Sequence, residues 1–464
     1  MEALIIAAGR GSRLNHRCSP KPLTRILGLS LIERVILLGK SAGIDAFRIV
    51  VGFQANEIMS RIGHGEKYGT FIDYIYNPNW EKGNGVSLLA ARDHLRQPFI
   101  LFMTDHLFEK AIIKKLMKVK LEEDECVLCI DRNLKGSHFS LDDATKVWIE
   151  DGYVQTIGKT IRRYNALDTG IFLCTPIIFE ALEHSVANGD YGLSGGNQIL
   201  SNMGKLKTLD ITGHVWVDVD DEVAYQKAKR TLIQGLEKTT DGPIARKINR
   251  KLSTPISSIL ANFNLSPNSL TLVSFVVAFF SALCFFTGDF SKIILAGILA
   301  QLSSILDGCD GEIARLKFQH STFGTWLDKV LDRYADGLIL IGITHALWLH
   351  TENYHIWLLG TLAIIGTFMN SYTAFGYDTL LKKELTRQPP YLRLGRDVRL
   401  FIIFLGALFN QLFYTLALLA TVTNAEALRR LFVFKHVDQS FRRNRKDHLT
   451  DYISVPHSGR FGTR

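Results

Sequence analysis

Cysteine is scarce, with six in 464 residues, and that excludes a disulfide-stapled scaffold. Proline numbers 11 and glycine 37, with no collagen period and no low-complexity tract. With 47% hydrophobic and 21% charged residues, the chain also lies outside the disordered class. A secretory leader is missing: MEALIIAAGRGSRL has an acidic second residue, a very short apolar run and then glycines. Internal repeats are absent. Charge nearly vanishes between Ser269 and Leu306, where only Asp289 and Lys292 interrupt the run.

A length of 464 residues corresponds to roughly three domain-sized units, and a mean hydropathy of +0.10 suggests that part of the chain lives in lipid. The net charge of +9 does not point to nucleic acid. Nine Lys/Arg against three Asp between Arg429 and Arg464 place +6 of it in one tail, which reads as a cytoplasmic membrane flank. Cys126 and Cys129 form a lone CxxC in an apolar stretch. They read as buried strand residues rather than a zinc or redox pair.

Residues 1–232 alternate short β-rich runs with helical stretches. Candidate strands are Leu4–Ala7, Phe47–Gly52, Ile72–Tyr76, Phe99–Phe102, Cys126–Ile130 and Gly170–Cys174. Continuous apolar strands alternating with helices predict a three-layer, Rossmann-like α/β domain with a mostly parallel sheet. Residues 233–265 form a linker. Within it Gly242–Leu260 places Ile244, Ile248 and Leu252 at i, i+4 and i+8 among basic residues, the pattern of a helix lying in the membrane interface. Residues 266–433 read as an all-α polytopic domain of about six transmembrane helices, opened by the 19-residue uncharged run Ser269–Thr287. A basic, mobile tail is expected over 434–464. Lys/Arg cluster before the first span and in Lys382–Arg399 but not near His350–His355. The N-terminal domain and the tail are therefore expected on the cytoplasmic side of a cell-membrane protein.

The segment Ala7-Ala8-Gly9-Arg10-Gly11-Ser12-Arg13 follows the first strand, and Pro20-Lys21-Pro22 comes shortly after. Small residues let backbone N–H groups approach a triphosphate, and Arg13 and Lys21 supply charge. The pattern is not GxGxxG. AAGRGSRL with PKPL resembles the nucleotidyltransferase family that activates sugars and alcohol phosphates. By that resemblance Gly83, Asn84 and Ser87 contact the nucleotide with Ala7, Ala8, Gly9, Gly11 and Lys21. Asp105 holds Mg²⁺ at a strand end, Asp168-Thr169-Gly170 is the substrate segment, and Asp218 and Asp220 are the second metal-binding segment. An acceptor phosphate attacks a nucleoside triphosphate. Both partners are anionic, so the site must supply cations and geometry rather than a nucleophile. Lys159 is a candidate for the incoming phosphate, with a solvated surface lysine as its alternative.

The sharpest pattern lies further on. Asp307, Asp310, Gly311, Ala314 and Arg315 fall at offsets 0, 3, 4, 7 and 8, and Gly324, Asp328 and Asp332 at 0, 4 and 8, each set on one helical face. Four carboxylates converging at one end of a membrane bundle would repel one another and resist desolvation. Two divalent cations bridging a diphosphate resolve that conflict. The spacing matches the CDP-alcohol phosphotransferase signature DxxDGxxARx8GxxxDxxxD at every specified position. By that resemblance Asp307, Asp310, Asp328 and Asp332 bind metal, and Asp332 also acts as the base. Gly311, Ala314, Arg315 and Gly324 then line the nucleotide pocket. Arg393, Arg396 and Arg399 recur every three residues and suit an anionic acceptor, or else form a positive flank. Asp336 extends the row outside the motif.

The two motifs in one chain resemble the family of bifunctional inositol-1-phosphate cytidylyltransferases and di-myo-inositol-phosphate phosphate synthases. The resemblance implies that CTP and inositol 1-phosphate give CDP-inositol and pyrophosphate. CDP-inositol, the CDP-alcohol, and a second inositol 1-phosphate then give phosphorylated di-myo-inositol phosphate and CMP. It also implies Mg²⁺ or Mn²⁺ in both domains, a bilayer around the second, a homodimer and no nucleic acid. The alternative is a cytidylyltransferase fused to a phospholipid synthase with a lipid hydroxyl as acceptor. A transporter would need a polar path through the whole bilayer, whereas the charged motif sits at one end.

Overall fold

The computed structural model describes residues 1–14, 17–122, 124–134, 144–237, 242–381 and 394–453. The chain forms two compact units. One takes Met1–Leu236 with Ala261–Phe263 and Leu316–Phe318; the other takes Glu237–Leu260, Asn264–Arg315 and the chain from Gln319 onward.

The first unit contains strands β1 (Glu2–Ala7), β2 (Arg25–Ile26), β3 (Leu29–Ser30), β4 (Ala46–Val51), β5 (Phe71–Tyr76), β6 (Phe99–Met103), β7 (His106–Phe108), β8 (Cys126–Asp131), β9 (Lys146–Glu150), β10 (Tyr153–Gly158), β11 (Ala166–Cys174), β12 (Leu206–Asp210) and β13 (Trp216–Asp218). Its helices are α1 (Leu31–Ala42), α2 (Ala55–Ile62), α3 (Asn84–Leu89), α4 (Lys110–Leu116), α5 (Ile177–Ala187), α6 (Leu193–Asn202) and α7 (Glu222–Gln234). Strand alternation divides the core in two. Ala3, Ile5 and Ala7 of β1 meet α1, α2 and α4 on one face, while Leu4 and Ile6 meet α3, α5 and α6 on the other. This is the three-layer α/β arrangement. Cys126 and Cys129 are buried in β8 as free thiols.

The sheet departs from the expected mostly parallel form. Its order is β5-β4-β1-β6-β11-β8-β12-β10-β9. β5, β4, β1 and β6 run parallel, but β11 is antiparallel to both β6 and β8, and β10 to both β12 and β9. An apolar strand buried on both faces reads the same in either direction, so its sequence reports burial and not polarity. The chain leaves β1 for β4 on one side and returns to β6 on the other. That opens a crevice beyond the carboxyl ends of β1 and β6, where ligands of α/β sheets bind. Ser30 caps α1: its side chain accepts from the Glu33 N–H, and Glu33 accepts in turn from the Ser30 N–H at 2.9 Å.

The second unit is helical: α8 (Arg250–Leu260), α9 (Pro267–Phe286), α10 (Phe290–Leu316), α11 (Thr322–Thr351), α12 (His355–Leu381), α13 (Arg396–Leu408) and α14 (Leu412–Ile453). Of the six helices from α9 on, α9, α10 and the His355–Ala374 part of α12 are long and apolar enough to cross a membrane. The 13 residues of α13 span only ~20 Å, and the first half of α11 carries the motif acids. The core is built on small residues, among them Ala278, Ala282, Ala296, Ala335 and Ala363, which let helices approach closely. Leu272, Phe280, Leu283 and Leu362 face outward. Helix α14 continues past residue 434 to Ile453, so the sequence boundary placed there does not coincide with a helix end.

Around α8 the structure adds what periodicity did not reveal. The buried face is polar: Asn249, Ser253 and Ser257 are inside. Asn249 Nδ2 donates to Ser304 Oγ at 3.0 Å, and Gln301 Nε2 donates to Asn249 Oδ1 at 2.8 Å. Leu252 and Ile259 lie on the outer side.

Candidate functional site

In the first unit the loop after β1 turns at Gly11. Its φ of +62° and a side-chain position only 2.4 Å from Lys21 Cβ admit glycine alone. Lys21 is thereby pressed beneath the loop, 6% exposed. Its Nζ lies 2.7 Å from Asp105 Oδ2 and 2.5 Å from Asp220 Oδ1. Burial disfavours its charge, but Asp105 and Asp220 outweigh burial and hold the ammonium well above the ordinary lysine range. Arg13 Nη2 reaches Asp220 Oδ2 at 3.2 Å.

Strands β7 and β13 pair in an antiparallel ribbon in which His106 stands directly opposite Asp218. This register gathers Asp105, His106 and Asp218, with one ligand atom of each within 4.8 Å of the others. Asp105 Oδ1 accepts from His106 Nδ1 at 2.8 Å. Burial works to raise Asp105, but Lys21 and His106 overcome it and keep the carboxyl below the usual range. Burial also works to lower His106, yet Asp218 and Asp105 raise it to about 9. Asp218 is pushed up to about 6 by burial, and its Oδ1 is enclosed with no hydrogen-bond partner among the described residues. That orphaned oxygen, beside a second carboxylate, fits a cation. Asp220 lies just beyond the end of β13, paired with Lys21 and Arg13 beside this triad.

A cavity of about 580 Å³ opens over this ribbon. It is lined by Arg13, Asn84, Asp105, His106, Lys159, Asp168, Gly170, Asp218 and Asp220, among others. Burial raises Asp168 to about 6, and its Oδ1 accepts from the Gly170 N–H at 2.7 Å. Ser87, expected at the nucleotide, is instead buried and occupied locally: it accepts from Asn77 Nδ2 at 3.1 Å and donates to the Gly83 carbonyl at 3.2 Å. Ala7 and Ala8 are buried at the end of β1, and Gly9 is exposed.

In the second unit α10 and α11 present their acids to one another across a short turn. Oxygens of Asp307, Asp310 and Asp328 lie within 4.8 Å of one another. Thr271 Oγ1 donates to Asp310 Oδ2 at 2.5 Å. A donor set of carboxylates alone fits a hard divalent cation. These acids line a cavity of about 350 Å³ together with Gly311, Ala314, Arg315 and Gly324. Asp332 adjoins that cluster through Arg396. Arg396 Nη1 lies 2.7 Å from Asp332 Oδ1 and 3.1 Å from Asp307 Oδ1, and its Nε lies 3.1 Å from Asp336 Oδ1. Arg399 Nη2 lies 2.8 Å from Asp336 Oδ2. Arg393 falls outside the described residues.

Three features of the sites were not read from the sequence. His106 follows Asp105 in the sequence, but only the β7–β13 register shows that it faces Asp218. Asp336, outside the motif and read as a structural group, has partners that the sequence did not name: it is the buried anchor of Arg333, Arg396 and Arg399. Glu312, fully buried at an unspecified motif position, accepts from Arg250 Nη1 and from Ser253 Oγ; an acid on the back of α10 needed a basic residue on α8, and Arg250 was the available sign.

Residues 264–425 match the CDP-alcohol phosphatidyltransferase family, and residues 3–149 match the MobA-like NTP transferase domain. A protein of Archaeoglobus fulgidus named bifunctional IPC transferase and DIPP synthase is 36% identical over 89% of this chain and 79% of its own length. One of the same name from Rubrobacter xylanophilus is 34% identical over 93% of this chain and 96% of its own. The chain belongs to the family of bifunctional IPC transferases and DIPP synthases. Its first unit has the nucleotidyltransferase fold, and its helical unit is the family's CDP-alcohol phosphotransferase domain. The helical part alone is also similar to an archaetidylinositol phosphate synthase of Pyrococcus horikoshii, at 32% identity over 38% of this chain and 90% of that protein.

Proposed function

We propose that the chain performs two consecutive transfers on inositol phosphate. In the first unit a phosphate oxygen of inositol 1-phosphate attacks the α-phosphorus of CTP. The bond to the β-phosphate breaks and pyrophosphate leaves, giving CDP-inositol. Lys21 and Arg13 balance the triphosphate charge, Asn84 meets the nucleotide, and Lys159, on the cavity wall, receives the acceptor phosphate. In the second unit a hydroxyl of another inositol 1-phosphate attacks the inositol-bearing phosphorus of CDP-inositol. The diphosphate bridge breaks, CMP leaves, and the hydroxyl proton passes to Asp332. Gly311, Ala314 and Gly324 leave room for the nucleotide, and Arg396, on the cavity wall, draws the acceptor's phosphate beside Asp332; Arg399, expected to share that task, is buried against Asp336 and acts through it. Asp105 and Asp218, with Asp220 beside them, in one unit, and Asp307, Asp310, Asp328 and Asp332 in the other, would hold divalent cations, Mg²⁺ or Mn²⁺, which would supply electrostatic stabilisation of the reacting phosphates.

One observation carries this reading: an intact eight-position acid motif follows a lysine–aspartate phosphate site in a chain whose relatives bear the bifunctional name. The same reading places the protein in the cell membrane as a multi-pass homodimer, with the first unit and the C-terminal end in the cytoplasm. The asymmetry of Lys and Arg along the sequence supports that side.

The test is incubation of the full-length enzyme with CTP, Mg²⁺ and a panel of alcohol phosphates, followed by mass analysis. Inositol 1-phosphate should yield pyrophosphate, then CMP and a water-soluble phosphorylated di-inositol phosphodiester. Absence of CDP-inositol, or transfer of the alcohol phosphate only to lipid, would overturn the assignment.

A further inference from the structure

The cytidylyl-transfer site contains a group that the reaction as proposed leaves unused. His106 is the cross-strand partner of Asp218 in the β7–β13 ribbon, and the ribbon is tied to Asp105 by the Val219 N–H donating to the Asp105 carbonyl at 2.9 Å. The imidazole is fixed on three sides. Nδ1 donates to Asp105 Oδ1 at 2.8 Å. One ring face stacks on Trp216 at a centroid distance of 6.5 Å and an interplanar angle of 11°. Nε2 sits against Gly170, where a side-chain carbon would come within 2.6 Å of it. Gly170 therefore lacks a side chain where the histidine needs the space. The whole side chain is only 12% exposed, yet it lines the reaction cavity. The ring lies among the two carboxylates that fit a cation, and Asp218 Oδ1 beside it is enclosed with no hydrogen-bond partner among the described residues.

Resting on the cytidylyl-transfer reading above, we propose that His106 releases its Nδ1 proton to solvent and through Nδ1 becomes a nitrogen ligand of the cation held by Asp105 and Asp218, so that this site takes Mn²⁺ and Co²⁺ more tightly than Mg²⁺. The argument is one of ligand chemistry. Mg²⁺ keeps oxygen ligands and water. Imidazole favours first-row transition metals, whose affinity for a given nitrogen-containing site rises from Mn²⁺ to Co²⁺. The second unit offers the contrast, since its cluster of Asp307, Asp310 and Asp328 contains carboxylates only.

The experiment uses the full-length enzyme loaded with Mn²⁺ and reads electron spin-echo modulation from coordinated ¹⁴N. The wild type should show imidazole nitrogen on Mn²⁺, and His106→Gln should lose it. His320 lines the second cavity, so His320→Gln serves as control and should keep the signal. Mn²⁺ affinity at the stronger nitrogen-bearing site should fall ~10-fold or more in His106→Gln, and the Mn²⁺/Mg²⁺ preference for CDP-inositol formation should narrow. His106→Asn provides a second substitution should glutamine disturb folding, and the wild-type spectrum needs no variant. Bound Mn²⁺ without a nitrogen signal, or a signal that survives in both His106 variants, would overturn the inference. CDP-inositol formation measured on the same preparation separates the two readings: turnover without nitrogen ligation sinks only the role of His106, and no turnover with any metal sinks the reaction itself.

Discussion

The Lys21 ammonium and the Asp105 carboxylate meet at 2.7 Å, joining the phosphate loop to the acid at the end of β6. The lysine also holds Asp220 at 2.5 Å, so one buried cation fixes two acids before substrate arrives. Lys21→Met should abolish pyrophosphate release in the first reaction. It should also cost about 3 kcal/mol of stability, because an acid is left enclosed without its partner. CMP release from added CDP-inositol should continue. Equal loss of both reactions in a folded variant would show that Lys21 does not act within the first unit.

Gly11 carries a narrower claim. Alanine there meets a left-handed backbone, costing about 1–2 kcal/mol, and collides with the Lys21 stem at 2.4 Å. Because the collision displaces the cation rather than a distant wall, Gly11→Ala should impair CTP turnover well beyond its effect on melting temperature. Gly69→Ala makes a suitable comparison, since it meets the same left-handed backbone, at φ +64°, with nothing within 4 Å of its side-chain position. Similar CTP kinetics for the two variants would disprove the contact's importance.

The two sites should be separable by complementation. Asp105→Ala should stop CDP-inositol formation, and supplied CDP-inositol should restore CMP release. Asp332→Ala should do the reverse, accumulating CDP-inositol and pyrophosphate without CMP. Each primary loss should reach at least ~10²-fold, in line with removal of a general base or of a charge-stabilising group. Failure of added intermediate to rescue Asp105→Ala would break the division of labour.

How much of this was legible in advance depends on whether the information is local. The membrane motif is local: i, i+3 and i+4 spacing on α10 and α11 fixes which acids share a face, and Asp307, Asp310 and Asp328 do come together. The phosphate loop and Lys21 are likewise close in sequence. What was missed depends on partners far along the chain. His106 finds Asp218 through a strand register 112 positions apart in the sequence, and Asp336 finds Arg399 through helix packing. Sheet polarity fell in the same class: β11 is apolar enough to be read as a strand, but nothing in its own residues says that it runs against β6 and β8.

Asp168 supplies a pH dependence. Burial raises its carboxyl to about 6 in the folded chain, against about 3.9 when exposed. The folded state therefore binds the proton more tightly, so ionising Asp168 opposes folding. The stabilising effect of the protonated acid is complete below the unfolded value and is lost as pH rises through about 6. Asparagine keeps an oxygen for the Gly170 N–H, which Asp168 Oδ1 now accepts at 2.7 Å, and removes the charge. Asp168→Asn should accordingly raise the thermal midpoint of the nucleotidyltransferase unit at pH 8, with roughly 2–3 kcal/mol of added stability. The gain should shrink through pH 6 and disappear near pH 4. Melting curves of the full-length enzyme across that range decide the matter. A gain independent of pH, or a loss at pH 8, would mean that the ionised carboxylate is stabilised in the fold and that burial is not the dominant influence on it.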